Sequence, residues 1–269
     1  MDRSVRVRGV TWIDQRSRTK RHAHAPLVFL CASALESTRL LLLSRSPRSP
    51  EGLGAISGAL GRYLMDHVGL VMEGTGPPLS SELSPEAGRC LYLPRFDARC
   101  LPTPGPGRGF GVQVYQSAGK AQSYFKAVCS AEMLPRPENH VKLDANRRDA
   151  WGIPVLHIDC RHGDAELAQA REQVSALREL ADVAGVALTR IEETPVPPGM
   201  MLHECGTARM GRDPSTSVLD PYNQCWEARG LYVTDAACFP SQGTQNPTLT
   251  ILALTARACD HALARAPTS

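Results

Sequence analysis

Three ordered segments in the C-terminal quarter of the chain constrain its fold more than any other feature. A histidine-bearing loop, 203–211, precedes a short apolar run, 230–236, and a polar loop, 243–250. The middle of the run, 231–233, is apolar and rich in β-formers, as a strand buried on both faces would be. The tail therefore predicts a loop, a buried strand and a second loop that leads into a helix.

The second loop ends in a helix-start signal, Asn246 followed by Pro247. Asparagine suits the N-cap and proline suits the first helical position, and the residue before proline favours the extended conformation that an N-cap needs. The helix is predicted to bury one apolar face, formed by Leu249, Leu252, Ala253 and Ala256. A helix N-terminus can hold an anionic group. The residues alone leave open whether it does so or whether Asn246 merely caps a core helix.

Read together, these segments resemble a known signature. His-x-x-Gly-Thr-x-Arg-Met-Gly begins at His203, Leu-Tyr-Val-x-Asp ends at Asp235, and Asn-Pro-Thr-Leu-Thr begins at Asn246. Their order is similar to the C-terminal signature of the glucose–methanol–choline (GMC) oxidoreductases. The resemblance implies FAD as cofactor, with the isoalloxazine ring, anionic when reduced, at the start of the last helix.

The resemblance also implies a catalytic pair. His203 matches the catalytic histidine of the family, a base and hydrogen-bonding partner, and a neutral-range pKa suits that role. The second position is histidine or asparagine in the family and here is Asn246, whose amide orients the substrate oxygen but is not a base at neutral pH. Without the resemblance, a single loop histidine is more often structural or incidental.

The remaining matches are cofactor contacts. Asp235 and Ala236 correspond to strand-end positions beside the ribityl–pyrophosphate region of FAD. Asn246, Pro247 and Thr248 correspond to positions at the edge of the flavin ring.

The N-terminal part predicts a hairpin and a strand-to-helix corner. Strands at 5–14 and 20–24 flank a polar turn, and the apolar run 26–31 predicts a central parallel strand that leads into a helix. The corner at Ala32 resembles the family's Ala-Gly-x-x-x-Ser-x-x-Leu-Leu segment beside the dinucleotide part of FAD, with Ser33 where the family usually has glycine. Core packing alone would also explain the leucines of the helix.

Two glycine-containing segments follow. The run 52–58 lacks a preceding strand and the correct spacing, so it is not a dinucleotide fingerprint. The run 61–67 resembles the family's Gly-Arg-x-Leu-Met-Asp-His segment, and its His67 is predicted to be structural rather than catalytic.

The middle of the chain predicts an antiparallel sheet. Proline and glycine at 76–110 indicate long loops of the kind that wall a site. Strands are expected at 112–115 and 126–132, a turn and a strand within 135–144, and a further strand that opens at 151–156. The glycines at 107, 109 and 111 precede a strand, so they form no phosphate loop. A helix is predicted at 164–184 with its charges in solvent. Its expected apolar face comprises Leu167, Ala170, Val174, Leu177 and Leu180.

The predicted fold class is therefore α/β (α+β): an incomplete FAD-binding Rossmann-like domain with an antiparallel-sheet substrate domain. Residues 1–75 and 200–269 would form the cofactor domain and residues 76–199 the substrate domain. The family's opening G-x-G-x-x-G turn, which holds the pyrophosphate, does not occur in this sequence. The chain could be a truncated or mis-started product, a fragment or one partner of a split enzyme, and truncation or fragment is the favoured interpretation.

Composition and motifs exclude several classes of function. A net charge of +3 without a long basic block argues against nucleic acid, and no apolar run or leader suggests a membrane or secretion. Nine scattered cysteines favour reduced thiols in the cytoplasm. His157, Cys160 and His162 lie in an alternating stretch without an obvious fourth ligand, so a metal site is not expected, and no G-x-S-x-G elbow supports a hydrolase.

The resemblance implies oxidation of a CH–OH group in an alcohol or sugar-like small molecule, by hydride transfer to FAD. Electrons would then pass to oxygen or to another acceptor. The alternative is a non-catalytic fragment or partner subunit that cannot bind FAD without a missing N-terminal FAD-binding segment. The residues identify neither the substrate nor the acceptor.

Overall fold

The computed structural model describes residues 5–78, 89–96, 109–119 and 121–265. Its helices are α1 Ala34–Leu43, α2 Asp164–Val183 and α3 Thr248–Ala264. The strands are β1 Val5–Arg6, β2 Gly9–Ile13, β3 Lys20–His24, β4 Val28–Leu30, β5 Val68–Gly76, β6 Arg89–Phe96, β7 Phe110–Ala118, β8 Ser123–Ala131, β9 His140–Arg148, β10 Pro154–Asp159, β11 Ala187–Ile191, β12 Ala228–Arg229 and β13 Leu231–Val233. No helix in these ranges is long and apolar enough to cross a lipid bilayer.

The first part of the fold is built on a parallel strand pair. β4 pairs with β13 in parallel, with Val28 opposite Leu231 and Leu30 opposite Val233. The predicted parallel strand and the buried strand of the tail are thus both confirmed. α1 follows β4 directly, and Thr255 on α3 donates a hydrogen bond from its hydroxyl to the carbonyl of Thr234 at 3.1 Å. The predicted N-terminal hairpin is formed by β2 and β3.

The second part of the fold is an antiparallel sheet with the strand order β11-β5-β8-β7-β6. Burial alternates along its strands: Leu70, Met72, Ala127 and Cys129 on one face are buried, and α2 packs against that face. The other face is more polar and only partly covered. A mixed α/β fold with an antiparallel sheet is therefore confirmed.

The loop predicted at 76–110 contains a strand. β6 crosses this region and pairs with β7, because its alternating side chains continue the edge of the sheet. The strands predicted at 112–115 and 126–132 are confirmed by β7 and β8. The proline- and glycine-rich runs 79–88 and 97–108 lie outside the described residues.

The buried face of α2 agrees with the predicted one at Ala170 and Leu177, but it also includes polar residues. Leu167 is 39% exposed, whereas three polar residues, Glu166, Gln169 and Gln173, are buried. Both glutamines donate amide hydrogen bonds to backbone carbonyls at the sheet ends, and Glu166 accepts from the amides of Leu134 and Gly163. The expectation that all charges of this helix are solvated is wrong for Glu166, because unpaired backbone groups beneath the helix require its carboxylate.

Two predictions for α3 are wrong. Of the face expected to be buried, Leu249 is 78% and Leu252 61% exposed, because the helix packs on β13 through Ala258 and Ala262 instead. The helix begins at Thr248 with Pro247 in the capping position, and no side chain caps it. Asn246 does not serve as the N-cap because its amide is engaged elsewhere.

Candidate active site

The structure brings together the two predicted catalytic residues. Asn246 Nδ2 lies 3.4 Å from His203 Nε2, although the two residues come from separate loops. His203 is half-buried and Asn246 is exposed, so a small molecule can reach the pair from one side. The pair combines a possible proton acceptor with an amide that can donate or accept a hydrogen bond.

A buried carboxylate, Asp66, holds the His203 loop. Its oxygens accept hydrogen bonds from the backbone amides of Gly199 at 2.7 Å, Met201 at 3.1 Å and His203 at 3.2 Å. The amide of His67 also donates to it, at 2.8 Å. Because these amides are distributed on both sides of the loop apex, one side chain fixes the backbone path into His203. Sequence reasoning noticed the segment around Asp66 but missed this role.

The backbone on the other side of His203 is equally constrained. Cys205 and Met65 exchange two backbone hydrogen bonds at 2.9 and 3.0 Å, and Gln242 Nε2 donates to the carbonyl of His203 at 2.7 Å. Gly206 has a φ of 85°, and a Cβ atom there would lie 2.1 Å from the carbonyl oxygen of Tyr63. The glycine of the His-x-x-Gly motif is therefore required by close backbone approach.

His67 is buried against His203, with 1% of its surface exposed. The two rings meet edge to face with centroids 4.9 Å apart. Neither ring nitrogen of His67 has a well-aligned hydrogen bond. Burial and the neighbouring His203 lower the pKa of His67 to about 4. His67 is thus a neutral ring in the wall of the site.

A further polar residue, Gln113 on β7, reaches the pair from the antiparallel sheet. Its Nε2 donates to Asn246 Oδ1 at 2.6 Å, and its Oε1 accepts from the hydroxyl of Tyr115 at 2.8 Å. Sequence reasoning missed Gln113, because an alternating strand presents such a residue as part of a solvent face. Gln113 and Asn246 are 133 positions apart in the sequence, so no local pattern indicates that they meet.

The predicted cofactor residues on the strand ends also lie together. Asp235 follows β13 and is buried; burial raises its pKa, and it accepts from the hydroxyl of Ser37 and, at 2.9 Å, from the amide of Ala237. The amide of Ala32 donates to the same Ser37 hydroxyl at 3.0 Å. The carbonyl of Ala236 accepts from the amide of Gly206 at 3.0 Å, which ties the strand end to the His203 loop.

The strand ends fit the approach of a cofactor. Ala32 and Ser33 at the corner after β4 are exposed, and Ser33 has a φ of 76° and a ψ of 162°. Ligands of open α/β sheets bind at the carboxyl ends of parallel strands. Of the three matches at the start of α3, Pro247 is buried while Asn246 and Thr248 are exposed on the side of the catalytic pair.

His157, Cys160 and His162 form no metal cluster, and the part of the chain that the structure describes contains no group of three or more potential ligands. In the same residues the cysteines are unbridged.

The chain is similar in sequence to known oxidoreductases. The model of the GMC oxidoreductase family matches residues 135–255. A 2-methyl-1,2-propanediol dehydrogenase from Mycolicibacterium austroafricanum is 30% identical over 94% of this chain and 50% of its own length. A paromamine 6'-oxidase from Streptomyces fradiae is also 30% identical, over 94% of this chain and 48% of its own length. The chain spans about half the length of the curated relatives it matches.

Solved structures share the fold. Pyridoxine 4-oxidase from Mesorbium loti superposes with a TM-score of 0.63 at 21% identity, covering 98% of this chain and 55% of its own. A formate oxidase from Aspergillus oryzae RIB40, studied for modification of its FAD, superposes with a TM-score of 0.66 at 15% identity, covering 98% and 58%.

Proposed function

This chain belongs to the GMC oxidoreductase family, and on that premise we propose that it supplies the proton-transfer machinery for oxidising a CH–OH group. FAD is the cofactor of this family, and when bound it accepts the hydride that leaves the substrate carbon. The observation that carries the proposal is the convergence of His203 and Asn246. The substrate is an alcohol or sugar-like small molecule, and the final electron acceptor is oxygen or another compound.

His203 removes the hydroxyl proton of the substrate. Its Nε2 faces the accessible side of the pair, and loss of that proton makes departure of a hydride from the adjacent carbon easier. The Asp66 carboxylate supports this role because it holds the backbone of the loop in one position. This fixed position matters because a small displacement of a catalytic group lowers the reaction rate.

Asn246 orients the substrate oxygen. Its amide stands beside His203 Nε2, so a hydroxyl between the two side chains could donate to the imidazole and accept from the amide. Ala32, Asp235 and Ala236 would line the ribityl–pyrophosphate part of FAD, and Pro247 and Thr248 the edge of the ring.

The test is His203→Ala in the FAD-loaded enzyme. The rate of flavin reduction by an alcohol substrate should fall at least ~100-fold, the lower end for a lost general base. His157→Ala, on the exposed side of β10, is the matched control and should leave the rate unchanged. Near-normal bleaching of the flavin in a stopped-flow trace of the His203→Ala enzyme would reject the role.

The second candidate is a chain that has no activity alone and needs a separate FAD-binding segment. Its support is apolar surface: Leu249 and Leu252 are exposed on α3, and β4 is only half-buried. Desalting the purified 269-residue chain after incubation with FAD separates the two candidates. Retained flavin absorbance would count against this second candidate, whereas a colourless chain would support it.

A further inference from the structure

Gln113 occupies a position that the catalytic pair does not explain. It lies in the middle of β7, half-buried, on the sheet face opposite α2 and directly across from Tyr92 on β6. Nothing in the packing of the sheet requires an amide there, because the apolar face of β7 points the other way, towards α2. Its side chain instead makes two hydrogen bonds, one on each side of its amide.

Those two hydrogen bonds have a direction. The hydroxyl of Tyr115 donates to Gln113 Oε1, so Gln113 presents Nε2 to Asn246. Gln113 Nε2 then donates to Asn246 Oδ1, which leaves the hydrogens of Asn246 Nδ2 pointing to His203 Nε2. An amide nitrogen only donates, so the imidazole atom that faces it must accept.

The ring proton of neutral His203 therefore belongs on Nδ1. Nδ1 is buried and has no hydrogen-bond partner among the described residues, while Nε2 keeps its lone pair on the side open to a substrate. The reverse arrangement, in which Asn246 Oδ1 faces His203, would place the proton on Nε2. In that state Nε2 has no lone pair, so the nitrogen on the open side cannot accept the proton of an alcohol.

We infer that Gln113 is a positioning residue: its amide sets the direction of the Asn246 amide, which in turn holds His203 in the tautomer that can act as a base. The inference rests on the proposed function for its catalytic meaning. The effect of Gln113 on the tautomer of His203 can be measured without any reaction.

The first test is the tautomer of His203 in the full 269-residue chain labelled with nitrogen-15 histidine. Nitrogen chemical shifts distinguish a protonated from an unprotonated ring nitrogen, and His203→Gln identifies the signals by removing them. We expect Nδ1 protonated and Nε2 unprotonated in the unaltered chain. A proton on Nε2 would overturn the inference.

The second test releases the amide. In Gln113→Met the Asn246 amide is free to turn, so the tautomer ratio of His203 should shift about fivefold towards the Nε2-protonated form, the change that one neutral hydrogen bond can support. Gln116→Met on the same strand is the matched control and should leave the ratio unchanged. An unchanged ratio in Gln113→Met would overturn the inference.

A double variant separates a relay from a direct effect. If Gln113 acts through Asn246, then Gln113→Met should have no effect in an Asn246→Ala background. Persistence of the effect there would contradict the relay. Tyr115→Phe, at a residue 45% exposed and safe for folding, removes the donor that fixes the direction of Gln113 and should shift the ratio in the same sense. No shift in Tyr115→Phe would contradict the proposed direction.

The catalytic meaning is tested in the FAD-loaded enzyme. Gln113→Met should lower the rate of flavin reduction at saturating substrate by up to about fivefold, the limit set by the shift in the tautomer ratio, while KM changes little. If the tautomer responds as expected but reduction does not slow, the relay stands and the assignment of His203 as base fails. If reduction slows without a tautomer change, the relay fails and the base assignment stands.

Discussion

The ring of His67 meets the ring of His203 at an interplanar angle of 88°, with 4.9 Å between the ring centroids. His67 is buried, and burial together with the charge that His203 carries when protonated lowers its pKa to about 4. Two adjacent imidazolium ions are unfavourable in such a setting. His67 therefore stays neutral above about pH 4, and its ring covers one side of His203.

The depressed pKa of His67 predicts a pH dependence of stability. Below pH 6.5, the ordinary pKa of histidine, the unfolded chain binds a proton at His67 and the folded chain does not. The free energy of unfolding therefore decreases as the pH falls. The contribution is fully present above pH 6.5 and is lost progressively down to pH 4, by about 3 kcal/mol in all. Urea unfolding at a series of pH values measures it.

The control for this prediction is His67→Phe, which keeps an aromatic ring without a titrating group. The wild-type curve minus the variant curve removes the contributions of other groups, including His162 and Asp235, whose pKa values burial lowers and raises respectively. A difference curve that is flat between pH 4 and 6.5 would show that His67 is not held neutral.

Asp66→Asn should destabilise the fold and loosen the His203 loop. The carboxylate accepts four backbone amides, and an asparagine would turn an N–H₂ group towards some of them. We expect a loss of about 3 kcal/mol in the free energy of unfolding, because charged, buried hydrogen bonds are among the costly ones to break. Hydrogen exchange of the amides of Gly199, Met201 and His203 should accelerate together.

Asp144→Asn is the matched control for that prediction. Asp144 also accepts two backbone amides, from Asn146 at 2.8 Å and Arg147 at 2.9 Å, but these hydrogen bonds are exposed. Water can replace its hydrogen bonds, so its substitution should change stability little. Equal effects at both sites would argue against Asp66 as the anchor of the loop.

The roles of Asp66 and Gln113 could not be predicted from the sequence. The motif around Asp66 was recognisable, but three of its four amide donors lie more than a hundred positions away, and no local spacing encodes that meeting. His203 and Asn246 could be predicted because a long ordered signature carried them. Gln113 could not, since its partner is chosen by how β7 approaches the start of α3.

Helix faces were predicted less well than helix bounds. α2 begins and ends close to its predicted limits, because a stop at Gly185 is a local signal. The apolar stripe of α3 is wide enough to be buried in more than one rotation, and β13 selects the side of Ala258 and Ala262. Which stripe is buried thus depends on the partner element and not on periodicity.

Ser33→Gly should stabilise the chain. With a φ of 76° and a ψ of 162°, Ser33 adopts a conformation almost restricted to glycine, and its side chain forms no cap hydrogen bond to offset the strain. Removing its Cβ should raise the free energy of unfolding by about 1 kcal/mol. Ser33→Ala keeps the Cβ and should show no gain, so a thermal shift shared by both variants would point away from backbone strain.

Gly206→Ala should be the most damaging small substitution in the catalytic motif. The added Cβ would lie 2.1 Å from the carbonyl oxygen of Tyr63, a backbone atom that cannot move without breaking the exchange between Met65 and Cys205. We expect a loss of at least about 3 kcal/mol, beyond the roughly 1 kcal/mol of a positive φ alone. Gly243→Ala isolates that smaller cost, because Gly243 has a φ of 78° and no atom within 4 Å of its added Cβ. Denaturant melts of the two variants side by side measure the difference, and similar midpoints would mean that the loop can yield at Tyr63.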